Sequence, residues 1–210
     1  MRRLILTLAL LPVAIRAEIV DRIAATVGYE VIAESQVSAQ IRVAALINGT
    51  EPDVAPENRR KVLDALIDQT LMRREVEFTR FPQASDADVK LQLAQIQSRY
   101  PGPAFQEALD RYRVSEPDLA VQLRWQFTML RFIEYRFQPA VQVSDSQIRQ
   151  EYRRQVAAWR ERNSGEPPSM EQMRPELEKL MRQQMTDSAL DRWLGEVRTQ
   201  NTILYREGYR

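Results

Sequence analysis

The side chains able to do chemistry in this sequence are few in kind. Asp86 and Asp88 place two carboxylates at a helix start, where the helix dipole would stabilise their charge. Catalysis or calcium binding there would need further oxygen ligands at defined spacing, and none are near. Asn48-Gly49-Thr50 has the form of a glycosylation acceptor, a chance match on this reading. The 210 residues include no Cys and no His. That excludes disulfides, thiolate metal sites, Cys nucleophiles and a lipid-attached cysteine. It also removes the usual general base, the Ser/His/Asp triad and the zincin motifs. Six glycines stand singly along the chain, so no glycine-rich loop can cradle a phosphate. Carboxylate, Lys, Tyr or Ser acting alone remains, or binding without chemistry.

The cationic runs are no more specific. Arg59-Arg60-Lys61, Arg73-Arg74 and Arg153-Arg154 each lie beside acids, namely Glu57 and Asp64, Glu75 and Glu77, Glu151 and Glu161. Solvated helix faces with i,i+4 pairing account for them better than nucleic acid does. Only Lys61, Lys90 and Lys179 are lysines, which reads as a compositional bias toward Arg.

The elements that must position these groups are mostly helices, as low Gly and abundant Arg, Gln, Glu, Leu and Ala favour. Ile19, Ile23, Ala25 and Val27 alternate at period two, and Val31-Ile32 continues after Gly28-Tyr29-Glu30, which predicts a hairpin. Ser35 is the expected cap of a helix carrying Val37 and Ile41. A helix from Pro56 carries a stripe of Leu63, Leu66, Ile67, Leu71 and Phe78 before Phe81-Pro82. Ser85 and Asp88 cap the next. Tyr100-Pro-Gly-Pro103 is a break, followed by a short helix with Phe105, Leu109 and Tyr112.

The helix over about 118–137 is apolar on two faces and should be central and surrounded. Trp125, Phe127 and Phe132 on it are expected in the core. Two S-x-x-Q boxes, Ser144–Gln147 and Ser169–Gln172, open two further helices around the turn-rich stretch 163–168. The second should run to about Arg198 with Pro175 in its first turns. Thr202-Ile-Leu-Tyr205 is the natural third strand for the hairpin. The expected fold is therefore mainly α, with a small antiparallel sheet formed by an N-terminal hairpin and a C-terminal strand.

Residues 1–17 read as a secretory signal peptide, with Arg2 and Arg3 ahead of a 12-residue apolar run, Leu4 to Ile15. A membrane span needs about 20 residues. A cut is expected after Ala17, and retention as an anchor stays open. Removal takes away three cations and changes the net charge from +1 to −2.

The order of motifs resembles the SurA-like periplasmic chaperones. Gly28-Tyr29-Glu30-Val31-Ile32 with Ser35-Gln36-Val37 resembles that family's opening hairpin and helix start. Val143-Ser-Asp-Ser-Gln-Ile148 with Tyr152 resembles its "V-S-D" helix, and Met170-Glu-Gln-Met-Arg-Pro-Glu-Leu177 its re-entry segment. Trp193-Leu194 and Ile203 resemble its closing stretch. The resemblance spans most of 18–210, with a helical lobe at about 35–160 and a C-terminal helix and strand at about 169–206. Many members carry a prolyl isomerase domain between the "V-S-D" helix and the re-entry segment. Here 16 residues separate Tyr152 from Ser169, too few for such a domain. No catalytic residue carries over, and no enzyme activity, nucleotide, metal or cofactor is expected.

What the resemblance implies is an ATP-independent helical holdase for unfolded or nascent envelope proteins, outer-membrane or secreted, located in the periplasm. The alternative is a non-catalytic subunit bound stably to one envelope partner. A homodimer is left open, and nucleic acid is not expected as a partner. Client-binding candidates are the aromatics near breaks, Phe78, Phe81, Tyr100, Phe105 and Tyr112, and the Met cluster Met170, Met173, Met181 and Met185. Exposed apolar and thioether surface suits promiscuous binding. For the methionines, packing of the last helix against the central one is the favoured account.

Overall fold

The computed structural model describes residues 21–163 and 165–209. The leader and Ile19 lie outside the described residues. The chain is mainly α, with seven α-helices and one three-stranded antiparallel sheet among the described residues. Strands β1 (Ile23–Val27) and β2 (Glu30–Ala33) form the hairpin, and β3 (Ile203–Tyr205) pairs with the other edge of β1. Ala25 lies opposite Tyr205 and Val27 opposite Ile203, so the expected third strand is present.

The hairpin turns at Gly28, whose φ of 58° is left-handed and suits a residue without Cβ. Strict alternation does not hold in β1. A bulge between Ile23 and Ala25 shifts the register and brings both Ala24 and Ala25 inside.

The helices follow as α1 (Glu34–Asn48), α2 (Pro56–Phe78), α3 (Asp86–Gln97), α4 (Ala104–Tyr112), α5 (Glu116–Phe137), α6 (Asp145–Arg160) and α7 (Met170–Gln200). Ser85, Ser115, Ser144 and Ser169 each cap their helix through the side-chain oxygen. Ser35 does not. Helix α1 starts two residues earlier, with Ala33 as its cap and the Gln36 Oε1 accepting from the Ala33 amide at 2.7 Å. Ser35 instead donates from its amide and hydroxyl to Asp21.

Three apolar clusters hold the fold. Leu46, Ile96, Leu109, Leu119 and Leu123 join α1 to α3, α4 and α5. Ala25, Val27, Ile32, Leu63 and Ile67 join the sheet to α2. Met72, Val76, Trp125 and Phe132 join α2 to α5, with Leu190, Trp193 and Leu194 of α7 packed on them. Helix α6 packs along the first half of α7.

Two expectations need correction. Helix α5 is central but not surrounded: Val121 is 69% exposed and Leu130 52% exposed. These two residues lie on opposite sides of the helix, while Trp125 and Phe132 beside Val121 are covered by α2. Phe78 does not complete the stripe of α2. It is 86% exposed, because the helix ends at that residue and the burial passes to Met72 and Val76.

Polar ties fasten the chain ends. Arg74 donates to the Val27 carbonyl at the hairpin turn, to Glu30 Oε1 at 2.6 Å and to Asn201 Oδ1 at 2.8 Å. The buried Tyr209 donates its hydroxyl to Glu34 at 2.9 Å and accepts from Arg59 at 2.7 Å.

Candidate functional site

The site is built from three helices that present polar residues at helical spacing toward one another. Gln36, Gln40 and Val43 lie on one face of α1, Leu66, Gln69 and Arg73 on one face of α2, and Asp118, Val121, Gln122 and Trp125 on one face of α5. Between them lies an open cleft of about 280 Å³. A depression of about 120 Å³ continues it toward β2 at Glu30 to Ile32. Another of about 130 Å³ continues it toward Gln83 in the α2–α3 loop. Arg73 lines all three and is the point where they meet.

This groove is the seam between the three apolar clusters. Val43 and Val114 belong to the first, Ile32 and Leu66 to the second, Val76 and Trp125 to the third. Along α2 it extends from Leu66 to Glu77, about 17 Å at the helical rise. About five residues of extended chain span that length.

The walls are rich in donors. The Arg73 guanidinium lies over the Trp125 ring, 4.7 Å from its centre. Arg42, Arg73 and Arg113 line the cleft, and among the described residues none of the three has an ion-pair partner. Among the described residues three buried side-chain donor atoms have no acceptor: Arg42 Nε, Gln122 Nε2 and Trp125 Nε1. All belong to residues that line this groove. An unsatisfied buried polar group costs about 1–3 kcal/mol, so three in one seam mark a surface that a ligand rich in acceptors can improve.

The carboxylate pair takes another role. Asp86 accepts from Arg124 at 2.6 Å and Asp88 from Arg131 at 2.7 Å, which clamps the start of α3 to α5. The Arg131 hydrogen bond, with those from Ser85, lowers the Asp88 pKa to about 2. Arg124 lowers that of Asp86. No cluster of Asp and Glu able to hold a metal ion occurs among the described residues.

The residues singled out from the sequence are not brought together. Phe105 and Tyr112 are corrected to core residues. Helix α4 turns its single apolar face onto α1, and the Tyr112 hydroxyl donates to the Thr50 carbonyl at 2.9 Å. Tyr100 is half-buried and donates to the Leu46 carbonyl at 2.8 Å. Phe81 is half-buried and meets Phe132 edge-on, with ring centres 5.4 Å apart. Phe78 alone is fully open, at the end of α2.

Met170, Met173, Met181 and Met185 are half-buried on α7, the stretch that packs along α6, and Gln147 of α6 reaches the Met185 sulfur at 4.0 Å. The central helix instead meets α7 further along, where Phe137 and Trp193 lie 5.9 Å apart. Arg42, Arg73, Arg113, Gln122 and Trp125 were not foreseen as a site. The available signal was Gln and Arg recurring at three and four residues on faces flanked by apolar positions.

Comparison with known proteins adds no assignment: no protein-family model and no curated protein matches this sequence.

Proposed function

We propose that the protein is an ATP-independent holdase for unfolded exported proteins, and that the groove between α1, α2 and α5 receives an extended segment of the client. One observation carries this reading: an open seam, walled by flexible Gln and Arg side chains over Val43, Leu66, Val114 and Val121, with three unpaired buried donors. Extended backbone offers a carbonyl acceptor at every residue and an apolar side chain at every second one. Such a surface binds many sequences weakly rather than one tightly. The exposed Phe78 and Leu130 add apolar contact outside the groove.

The SurA-like resemblance supports the same reading, as does the leader-like segment at 1–17 for an exported location. Among the described residues no helix is long and apolar enough to cross a membrane.

The test is suppression of aggregation. The purified protein, without nucleotide, should keep a chemically denatured outer-membrane protein soluble at near-stoichiometric ratio. Photo-crosslinkers placed at Gln36 and Val121 should capture it. Absence of both protection and capture overturns the proposal. Recovery of a single stoichiometric envelope protein in place of many clients would assign the non-catalytic subunit role instead.

A further inference from the structure

We infer that the groove selects extended peptide segments that carry carboxylate side chains. This rests on the holdase reading and names the class of client segment that it favours. Three guanidinium groups around the groove are already neutralised. Arg74 pairs with Glu30, Arg124 with Asp86, and Arg131 with Asp88. Arg42, Arg73 and Arg113 are the exceptions, and all three line the same cleft. Arg73 is held by the face of Trp125, a contact that leaves its N–H groups free for an acceptor in the ring plane's surroundings.

Among the described residues two carboxylates line the groove without a cation, Asp118 in the main cleft and Glu77 in the depression beyond Arg73. Asp118 accepts the hydroxyl of Ser115 at 2.5 Å at the start of α5, and Glu30 is occupied by Arg74. In the main cleft Arg42, Arg73 and Arg113 face Asp118 alone, so the balance there favours an anionic occupant, although the whole chain has a net charge of only +1.

The orphan donors sharpen the geometry. Arg42 Nε and Gln122 Nε2 belong to the main cleft, and Trp125 Nε1 to the depression beyond Arg73. Acceptors are thus wanted on both sides of Arg73, as an extended backbone supplies, with carboxylates as the counterions. A peptide fits better than a nucleic acid. The cations are single and set over an apolar floor, whereas phosphate tracking needs a continuous basic stripe.

The experiment uses fluorescence anisotropy with the purified protein and labelled peptides of about eight residues, long enough to cross the groove. One peptide alternates Val or Thr with Asp and Glu. Its companions replace the acids by Asn and Gln, or by Lys. A single-stranded oligonucleotide serves as the fourth probe. The acidic peptide should bind about tenfold tighter than the amide peptide, the sum expected of two or three half-buried ion pairs. The advantage should shrink between ~50 and ~300 mM salt.

In R42Q/R113Q the two peptides should bind within about twofold of each other, and R149Q/R153Q on α6 should leave the tenfold ratio intact. Circular dichroism establishes that the variants fold. Should the double variant fail to fold, Gln122→Glu and the salt series on the wild type decide. Equal binding of acidic and amide peptides overturns the charge selection and leaves the holdase. Tighter binding of the oligonucleotide also overturns it. Binding of no peptide, together with no protection of a denatured client, overturns both.

Discussion

The Arg73 guanidinium stacks 4.7 Å from the centre of the Trp125 ring, and so joins α2 to α5 across the floor of the groove. Its sequence neighbour Arg74 points to the sheet and is fully occupied by Val27, Glu30 and Asn201. One arginine pair, read from the sequence as a solvated run, thus divides into a groove residue and a structural clamp.

The two arginines should separate in a urea melt. Arg73→Ala should cost less than about 1 kcal/mol, the size of an exposed cation–π contact. Arg74→Ala should cost about 2–3 kcal/mol, because it removes three hydrogen bonds, one of them to a strand carbonyl. Client protection should fall in the first variant more than its stability does. Equal destabilisation of the two would contradict this division.

Acid should loosen the start of α3. The Asp88 pKa is depressed to about 2 by Arg131 and Ser85. A group with a folded pKa below its unfolded value of ~3.9 stabilises above that value and loses its contribution as pH falls toward 2. Thermal melts of the wild type and Asp88→Asn should therefore differ at pH 6 and converge by about pH 2. A difference that persists unchanged at pH 2 would rule out the ion pair as the cause.

Phe78 and Phe105, alike in the sequence as aromatics beside breaks, should behave in opposite ways. Phe105→Ala empties part of the cluster under α4 and should cost about 3–5 kcal/mol. Phe78→Ser should change stability by no more than about 0.5 kcal/mol. Its expected effect is weaker client capture. Denaturant midpoints of the two variants settle the order.

Tyr209→Phe should cost about 1 kcal/mol, since its hydroxyl links Glu34 of α1 to Arg59 of α2. Burial, then the Glu34 hydrogen bond, raises the Tyr209 pKa. That contribution is present below the ordinary tyrosine value of ~10 and declines as pH rises through the folded value. The gap between Tyr209→Phe and wild type should narrow in alkaline melts.

Sequence legibility followed the range of the interactions. The Ser85, Ser144 and Ser169 caps were readable because each cap and its partner lie within four residues. The hairpin and β3 were readable because turn chemistry and apolar runs are local. The bulge at Ala24 was not, since one extra residue leaves no mark on composition. Phe105 and Tyr112 misled because a short helix between breaks resembles an exposed connection until its partner α1 is known. The groove was hidden for a different reason. Gln36, Arg73 and Gln122 are ordinary solvated residues on three separate helices, and only the packing of the three clusters sets them around one seam.

The pairing of Ala25 with Tyr205 joins strands 180 positions apart. The middle strand of the sheet is the first element of the described chain, and one of its two neighbours is the last. Contacts of such long sequence separation form late, after the entropy of closing the intervening chain has been overcome. A chain delivered from its N-terminus, as during synthesis, would hold β1 with one edge unpaired until β3 emerges. Its helices can assemble in that interval, but the ladder closes last. A chain stopped before Ile203 would therefore carry an open strand edge along β1.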